Sequence, residues 1–552
     1  METKDYIVFL CYFIIVAGYG LYIYYKKKSA SGDSKDYFLA EGSLTWWAIG
    51  ASLIASNISA EQFIGMSGSG FKIGLAIATY EWMAAVTLVV VAVFFLPVYL
   101  KNKIFTMPQF LNQRYNGTVA MIMAVFWLLL YIVVNLTSIL FLGALAVSSI
   151  SGIDFQACMI GLAIFAIFIT LGGMKVIGYT DVIQVFFLIL GGLATTYLAL
   201  NLVSDHFGGG GVLDGLGIVH NKAQDHFHMI LKPDNPNYID LPGLSVLIGG
   251  MWIINLNYWG CNQYITQRAL GADLPTARNG LLFAAGLKLL MPLIVVLPGI
   301  AAFVLYNDGL FQQEMLAGGE LNPDRAYPVL LNLLPTGLKG LSFAALTAAV
   351  VASLAGKANS VATIFTLDIY KKIFDKDASE RKLVNVGKIT IVVSMILAIF
   401  IAPYLGIDKK GGFQYIQEYT GFVSPGVFAM FLLGFFWKKT TSNAALFATI
   451  VGFLLSIVLK FLPGYMDLSF LASTGFAIPV DGVYDIPFID RIGFVFIFCL
   501  IGMYIISMYE HKKGVVTHGL EIDATMFKTK TGFAVGALIV IGITAALYTI
   551  FW

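Results

Sequence analysis

The sequence has 552 residues, of which 58% are hydrophobic and 12% are charged, with a net charge of +2 and a mean hydropathy of +0.82. A soluble globular protein carries about a quarter charged residues, so this composition excludes a single water-soluble core and indicates a polytopic membrane protein in a lipid bilayer. Lys and Arg lie in short blocks between apolar runs, which gives no indication of a nucleic-acid partner.

Fourteen apolar runs are long enough to be candidate membrane spans. The first is not followed by a small-residue cleavage site but by three lysines at 26–28, so we interpret it as a span and not as a signal peptide. The fourteen begin near Ile7, Leu44, Ile73, Val119, Phe155, Thr180, Gly243, Ala277, Gly337, Ile389, Phe413, Asn443, Phe488 and Thr531.

The distribution of basic residues predicts the orientation. With the N-terminus outside, the cytoplasmic loops hold about twice as many Lys and Arg residues as the external loops. An even number of spans then places both termini on the external side of the plasma (inner) membrane. The basic residues within spans are Lys288 and Lys357, and no arginine is expected there. Two long polar connections, 204–242 and 307–335, follow on the external side.

Residues typical of catalysis are poorly placed for a membrane enzyme. The six histidines fall in polar connections, and no catalytic cluster or appended soluble domain is visible. The sequence therefore predicts neither an enzyme nor a sensor, and no obligate protein partner. The four cysteines lie in apolar runs and indicate no disulfide framework; they are Cys11, Cys158, Cys261 and Cys499.

Polar residues interrupt two spans at about mid-length. They are Asn57, Ser59, Glu61 and Gln62 in the second span, and Asn255, Asn257, Tyr258 and Trp259 in the seventh. Two interrupted spans five apart are typical of an inverted-repeat secondary transporter, whose unwound helices line a central site. The alternative is that these polar residues only join neighbouring helices.

A charged residue inside a span is costly and is usually kept for a pathway or a partner. Glu81 in the third span and Lys288 in the eighth are of this kind, and they can also form a structural pair. Carboxylate, ammonium and amide groups supply the donors and acceptors that sugar hydroxyls need. The aromatic side chains of Tyr80, Tyr258 and Trp259 offer apolar faces to a sugar ring.

Four long strings carry a resemblance to a known family. They are WWAIGASLIA (46–55), NISAEQFIGMSGSG (57–70), TDVIQVFF (180–187) and FQYIQEYTG (413–421). With them the chain resembles the bacterial sodium/galactose transporters, relatives of the sodium/glucose cotransporters in the sodium/solute symporter family, over nearly its whole length. The resemblance implies an all-α fold of about 14 transmembrane helices around an inverted five-plus-five helix core of the leucine-transporter type.

The resemblance also implies a sugar site and its gates. The implied sugar-binding residues are Asn57, Gln62, Glu81, Asn255, Tyr258, Lys288 and Gln417, with Tyr258 also the inner gate and Met66, Tyr80 and Phe413 the outer gate. Ala84 and Asn257 depart from the family pattern, where a serine and a tyrosine are usual. The loss of a hydroxyl at Ala84 leaves open which sugar is taken.

A sodium site is implied at the break of the second span. Its ligands would be the carbonyls of Ala55 and Ile58 with Ala349 and Ser353 of the ninth span, and Asp181 would lie near the sodium path. Sodium, a hard cation, prefers such oxygen ligands. One of two usual serines is replaced here by Ala352.

Lys357 stands where the family usually has an apolar residue. It shares a helix face with Ala349 and Ser353, at a spacing of i, i+4, i+8. Its side chain leans toward Ser353, so its ammonium would be a tethered substitute for the cation. Alternatively, Lys357 snorkels toward the cytoplasmic end of its span.

These features predict a secondary active transporter that couples the uptake of a hexose such as galactose or glucose to Na+ by alternating access. Two alternatives stay open: a sodium-independent or proton-linked sugar carrier with Lys357 in place of the cation, and a symporter of another small polar solute. The predicted division of the chain is 1–43 (extra helix and cytoplasmic linker), 44–202 (first repeat), 203–242 (external loop), 243–437 (second repeat) and 438–552 (three C-terminal helices).

Overall fold

Long apolar helices form most of the structure, a computed structural model that describes residues 2–26, 44–317, 319–404 and 412–552. Ten of the described helical segments have the length and hydropathy to cross a bilayer, and each matches one of the predicted spans. The predicted all-helical architecture is therefore confirmed. The ten segments begin at Thr3, Leu75, Gly117, Val176, Leu274, Leu338, Glu380, Ser442, Phe488 and Thr531.

The four other predicted spans are short or broken, so the count of fourteen is not confirmed. The helix pair Phe413–Thr420 and Ser424–Phe436 is bent by 50° and makes an eleventh span if it is counted as one. Phe155–Thr170 is a shorter apolar helix. The segments that begin at Leu44 and Gly243 are divided by breaks in the helix.

The described residues form 23 α-helices, named in chain order. They are α1 (Thr3–Lys26), α2 (Trp46–Asn57), α3 (Ser67–Lys72), α4 (Thr79–Val90), α5 (Leu96–Lys101), α6 (Met107–Arg114), α7 (Gly117–Leu129), α8 (Thr137–Ser151), α9 (Phe155–Thr170), α10 (Gly173–Phe207), α11 (Val212–Lys222), α12 (Gly243–Ile248), α13 (Gly250–Cys261), α14 (Gln263–Leu270), α15 (Leu274–Asn307), α16 (Ala326–Asn332), α17 (Leu338–Thr363), α18 (Glu380–Ile401), α19 (Gly412–Thr420), α20 (Ser424–Phe436), α21 (Ser442–Phe461), α22 (Phe488–Lys512) and α23 (Thr531–Ile550).

Shorter elements join these helices. Segments of π-helix cover Glu61–Met66, Val91–Phe95, Leu130–Leu136 and Ile364–Phe374. Two antiparallel ribbons pair β1 (Leu316–Ala317) with β2 (Glu320–Leu321) and β3 (Ile478–Val480) with β4 (Val483–Asp485).

Local sequence explains where several helices begin and end. The α8 helix ends at Ser151 and is followed by Gly152, whose left-handed backbone (φ 74°) closes the last turn without a Cβ clash. Asp154 then begins α9, because its carboxylate accepts the N–H groups of Gln156 and Ala157 at 3.0 Å. This single tight connection turns the chain back between two adjacent apolar helices.

Helix α15 packs against α2 and α3, the two helices of the broken second span, and it also contacts α4. The contact is close because both helices carry glycine where their backbones meet. A Cβ at Gly299 would lie 2.0 Å from the carbonyl oxygen of Ser67, and one at Gly70 would lie 2.6 Å from that of Val296. Small residues at such a crossing let helices in a membrane approach closely.

We expect Gly299→Ala to destabilise the protein, because the added methyl group collides with backbone that cannot rotate away. Forced overpacking costs about 1–3 kcal/mol, which thermal unfolding in detergent would detect as a lower Tm. Gly286→Ala on the same helix is the control, since nothing lies within 4 Å of a Cβ there. Equal unfolding temperatures for the two variants would contradict this account of the crossing.

The predicted external connections pack onto the ends of the spans. Nε2 of His226 lies 3.1 Å from the carbonyl oxygen of Phe71, and its ring stacks on Phe303 at 4.0 Å between centroids. The N–H of Met229 donates to the carbonyl of Phe551 at 2.7 Å, which ties the first connection to the end of α23. The first connection therefore covers one end of the helix bundle.

The predicted division of the chain stays a prediction. Its linker, together with Lys27 and Lys28, lies outside the described residues, as do residues 405–411 between α18 and α19. The external loop 203–242 begins within α10 and contains α11.

Candidate functional site

The first break lies where the sequence places it, between α2 and the π-helical turn Glu61–Met66. Ile58 is extended (φ −81°, ψ 112°). The N–H of Ser59, the usual helical donor to the carbonyl of Ala55, donates instead to Oε1 of Gln62 at 3.0 Å. The N–H of Glu61 likewise turns to the Ser59 hydroxyl, at 3.2 Å. The carbonyls at this helix end are thereby released from the helical ladder.

The second break is not at the predicted position. The helix α13 continues through Asn255 and Asn257 and ends at Cys261, and Asn262 is extended (φ −98°, ψ 126°). The two asparagines do not interrupt the helix because their amides find partners: Asn255 donates to the carbonyl of Met251 at 3.2 Å, and Asn257 to the Ser424 hydroxyl at 3.2 Å.

Tyr131, on a neighbouring helix, forms hydrogen bonds with the polar groups at the second break. Its hydroxyl donates to the side-chain oxygen of Asn262 at 2.6 Å and accepts the N–H of Gln263 at 3.1 Å. A side chain from a distant part of the chain thus replaces the lost helical hydrogen bonds, as irregular backbone at membrane depth requires.

A continuous polar network connects α2, α4, α13 and α15. The Lys288 ammonium lies 2.5 Å from Oε2 of Glu81 and also donates to Oδ1 of Asn57. The Asn57 amide donates in turn to the Tyr258 hydroxyl at 2.9 Å. Lys288 is 1% exposed, and its ammonium lies 5.2 Å from the centre of the Trp259 ring. The predicted Glu81–Lys288 pair is therefore present, and it belongs to a larger network.

This network offers a neutral polyol both kinds of hydrogen-bonding group. Glu81 accepts, Lys288 donates, and the Asn57 amide and the Tyr258 hydroxyl do both. Because the ion pair neutralises itself, the network offers hydrogen bonds without selecting a charged ligand. The rings of Tyr258 and Trp259, 5.1 Å apart, add apolar faces beside it.

The other predicted sugar-binding residues are placed differently. Gln62 accepts from Ser59 and caps the first break, while Asn255 donates to its own helix. Gln417 is half-buried on α19, and no hydrogen bond within the described residues joins its side chain to the network. The structure thus brings Asn57, Glu81, Lys288 and Tyr258 together and leaves the remaining three outside their network.

Two of the three residues predicted to form the outer gate are in contact. The rings of Tyr80 and Phe413 meet edge to face, with 4.9 Å between centroids and 89° between planes. Both rings are buried, as is Met66. Gly65 permits the contact, because a Cβ there would lie 2.8 Å from the backbone nitrogen of Phe413. The bent span beginning at Gly412 is therefore held against the first break.

Ser353, one of the predicted sodium ligands, contacts the first break from α17. The hydroxyl of Ser353 on α17 donates to the carbonyl of Ser56 at 3.0 Å, which fixes α17 against the end of α2. Ala349 and Ala352 are fully buried on the same helix. The Ser353 oxygen and the released carbonyl oxygens of Ala55 and its neighbours are the oxygen ligands that a hard cation prefers.

Lys357 does not snorkel out of its span. It is 1% exposed, and its amine lies 3.4 Å from the Ser353 hydroxyl oxygen and 5.0 Å from the centre of the Tyr264 ring. The snorkelling interpretation is therefore wrong: α17 is packed on all sides at this depth, so the flexible stem turns inward to polar atoms at the break.

Arg268, which lies between the seventh and eighth predicted spans, is completely buried. Arg268 on α14 is 0% exposed; its Nε donates to the Ser52 hydroxyl at 2.8 Å, and its guanidinium also donates to the carbonyl of Tyr264. The Ser52 hydroxyl lies 2.5 Å from Asp181, whose carboxylate is 3.9 Å from the guanidinium. Arg268 lies outside the ten described segments that could cross a bilayer, and it is buried because α14 continues the broken seventh segment into the bundle.

Comparisons with known proteins identify relatives over nearly the whole chain. Residues 37–452 match the model of the sodium:solute symporter family. The chain is 46% identical over 559 residues to a sodium/glucose cotransporter of Vibrio parahaemolyticus, covering 99% of this chain and 98% of the relative. It is 34% identical over 484 residues to the human sodium/myo-inositol cotransporter 2, covering 83% of this chain and 70% of the relative.

Solved structures share the fold. A Na+-coupled sialic acid symporter in a substrate-bound outward-open state superposes with a TM-score of 0.76 at 21% identity, covering 94% of this chain and all of that one. A nucleobase-cation-symport-1 family transporter in a closed conformation superposes with a TM-score of 0.53 at 14% identity, covering 90% of this chain and 98% of that one.

Proposed function

The chain belongs to the sodium:solute symporter family, and on this premise we propose that it is an integral membrane transporter that couples sugar uptake to sodium. The observation that carries the sugar assignment is the Tyr258–Asn57–Lys288–Glu81 network, which offers paired donors and acceptors beside aromatic faces. A relative that is 46% identical over the full length is named for sodium and glucose, which supports a hexose as the substrate.

The broken helices support alternating access around this network. The two breaks lie in spans five apart, and we assign these spans as the first helices of two inverted five-helix repeats, 44–202 and 243–437. All fourteen predicted spans would then cross the membrane, with both termini on the external side. In this arrangement Met66, Tyr80 and Phe413 close the outer side, and Tyr258 lies below the sugar as the inner gate.

The remaining family positions complete the proposed site after a rearrangement. Gln62, Asn255 and Gln417 lie on the elements that flank the network, at the first break, on α13 and on α19. The side-chain oxygen of Gln62 becomes available to a sugar hydroxyl when it releases the Ser59 N–H. Opening of the helix break would therefore free the Gln62 side chain to bind the sugar at the same time as it separates Phe413 from Tyr80.

The sodium ion would be held by the carbonyls of Ala55 and Ile58 and the backbone of Ala349, with the Ser353 hydroxyl as the side-chain ligand and Asp181 nearby. When bound, it supplies the driving force: about 2.3 kcal/mol per charge per 100 mV, and about 1.4 kcal/mol for each tenfold gradient. The Ser353–Ser56 hydrogen bond couples the two helices that would share the ion.

Uptake measurements in proteoliposomes test the proposal. Purified protein would be given a panel of radiolabelled hexoses, a polyol, an amino acid and a carboxylate, each with an inward sodium gradient or with choline in its place. We expect one or more hexoses to accumulate only with the sodium gradient. Uptake of an amino acid or a carboxylate but no sugar would overturn the substrate assignment.

A second candidate function rests on the position of Lys357. An ammonium within reach of Ser353 could take the place of the coupling ion, which would make the protein a sodium-independent or proton-linked sugar carrier. The same measurements separate the two, since that carrier would take up the same hexose equally well in sodium and in choline.

A further inference from the structure

The Lys357 amine contacts the Ser353 hydroxyl on its acceptor side. The Ser353 hydroxyl gives its proton to the carbonyl of Ser56, so what remains on its oxygen is acceptor capacity. The Lys357 amine faces that oxygen at 3.4 Å. The lone pairs that a sodium ion would use are therefore the same ones that the lysine contacts.

The charges around Lys357 come from several helices. Glu61, on the π-helical turn after the first break, attracts the ammonium, and Arg268 on α14 repels it. Asp181 on α10 is held by Ser52 and faces Arg268. The Tyr264 ring lies 5.0 Å below the amine. One carboxylate and one aromatic ring thus lie on the side of the Lys357 amine that favours a positive charge.

The helix on which Lys357 lies also lacks a hydroxyl there. Ala352, next to Ser353, presents only a methyl group at a position fully enclosed by the protein. A site with one fewer oxygen ligand and one nearby ammonium binds a cation more weakly, through a lost ligand and through repulsion between like charges.

From this geometry we infer that Lys357 is a tethered competitor of the coupling ion: its ammonium occupies the acceptor of Ser353 when sodium is absent and must move aside for sodium to bind. The inference rests on the proposed sodium-coupled function and adds to it a residue that sets sodium affinity. Sodium binding would then depend not only on the backbone of the break but also on the position of the Lys357 side chain.

Sodium binding to purified protein tests the inference without any transport measurement. Scintillation proximity with 22Na+, and the rise in Tm with sodium against choline, would be measured for wild type, Lys357→Met and Lys357→Arg. We expect Lys357→Met to lower the half-saturating sodium concentration about tenfold, within the usual range of coupling between ligands. Lys357→Arg should stay close to wild type because it keeps the charge.

Two further variants protect the test. Lys339→Met removes a positive charge from the start of the same helix, where the amine donates to the carbonyl of Asn332, and should leave sodium affinity unchanged. Ala352→Ser restores a hydroxyl without touching Lys357 and should tighten binding even if Lys357→Met folds poorly. Half-saturating concentrations that are equal in wild type and Lys357→Met would overturn the inference.

The outcome is distinct from that of the proposed function. Sodium-stimulated hexose uptake by wild type, with unchanged sodium affinity in Lys357→Met, would refute only the competitor. Tighter sodium binding by Lys357→Met, with no sugar uptake by wild type in any gradient, would support the competitor and refute the sugar assignment.

Discussion

Lys288→Met is expected to abolish hexose uptake and to lower the unfolding temperature of the purified protein, because it leaves Glu81 buried without its partner. Breaking a buried ion pair from one side costs about 3–5 kcal/mol. The ammonium is also the group that joins Glu81 to Asn57, so its loss divides the network in two. We expect uptake to fall about a hundredfold or more, as for a lost charged hydrogen bond in a buried site.

A double variant separates the structural role of the pair from its role toward the sugar. In Lys288→Met with Glu81→Leu, both charges are replaced by apolar groups, a change that is often neutral or stabilising in a protein interior. The unfolding temperature should then recover while uptake stays absent. Recovery of both would mean that the pair only holds α4 against α15, and that the sugar binds elsewhere.

The position of the first break could be predicted from the sequence because the residues that cause it are adjacent to it. Asn57, Ser59 and Gln62 stand within six residues of one another, and side chains of these types compete for the backbone groups that a helix would use. The observed diversion of the Ser59 N–H to Gln62 is that competition. The partnership of Glu81 with Lys288 was predictable for a different reason, since charges inside spans need partners.

The second break could not be located in this way because it depends on a distant residue. Asn255 and Asn257 look like helix breakers in the sequence, yet each finds a partner that leaves α13 intact. The break occurs instead at Asn262, where the Tyr131 hydroxyl is available from another helix. No pattern near Asn262 identifies that partner, so only the packing of the folded chain decides the position.

Arg268 was missed because the end of a broken span cannot be judged by hydropathy. The segment 263–270 is polar and reads as a loop, but the break at Asn262 lets α14 turn into the bundle. The signal that could have found Arg268 is Asp181, a carboxylate expected inside a span that needed a partner. Because Asp181 was assigned to the sodium path, no basic partner was sought for it.

Arg268→Met is expected to destabilise the protein about as strongly as the loss of Lys288, because Asp181 would be left buried beside Ser52 alone. The guanidinium holds together α2, α10 and α14, and it fits against α17 because Gly356 has no side chain: a Cβ there would lie 2.4 Å from its Nη2. We expect a fall of about 3–5 kcal/mol in the free energy of unfolding, measured as a lower Tm in detergent. Arg268→Lys should restore little, since an ammonium cannot reproduce the planar fork.

The reactivity of Cys261 measures the effect of replacing Arg268 at the second break itself. It is buried at the end of α13, beside the second break, whereas Cys11 is exposed. In a protein in which Cys11, Cys158 and Cys499 are replaced by serine or alanine, maleimide labelling of Cys261 should be slow. Arg268→Lys should accelerate it, because weaker ties between α14 and its neighbours let the break region open more often. If labelling of Cys261 is equally slow in the Arg268→Lys protein and its Tm is unchanged, the guanidinium contributes nothing to holding these helices together.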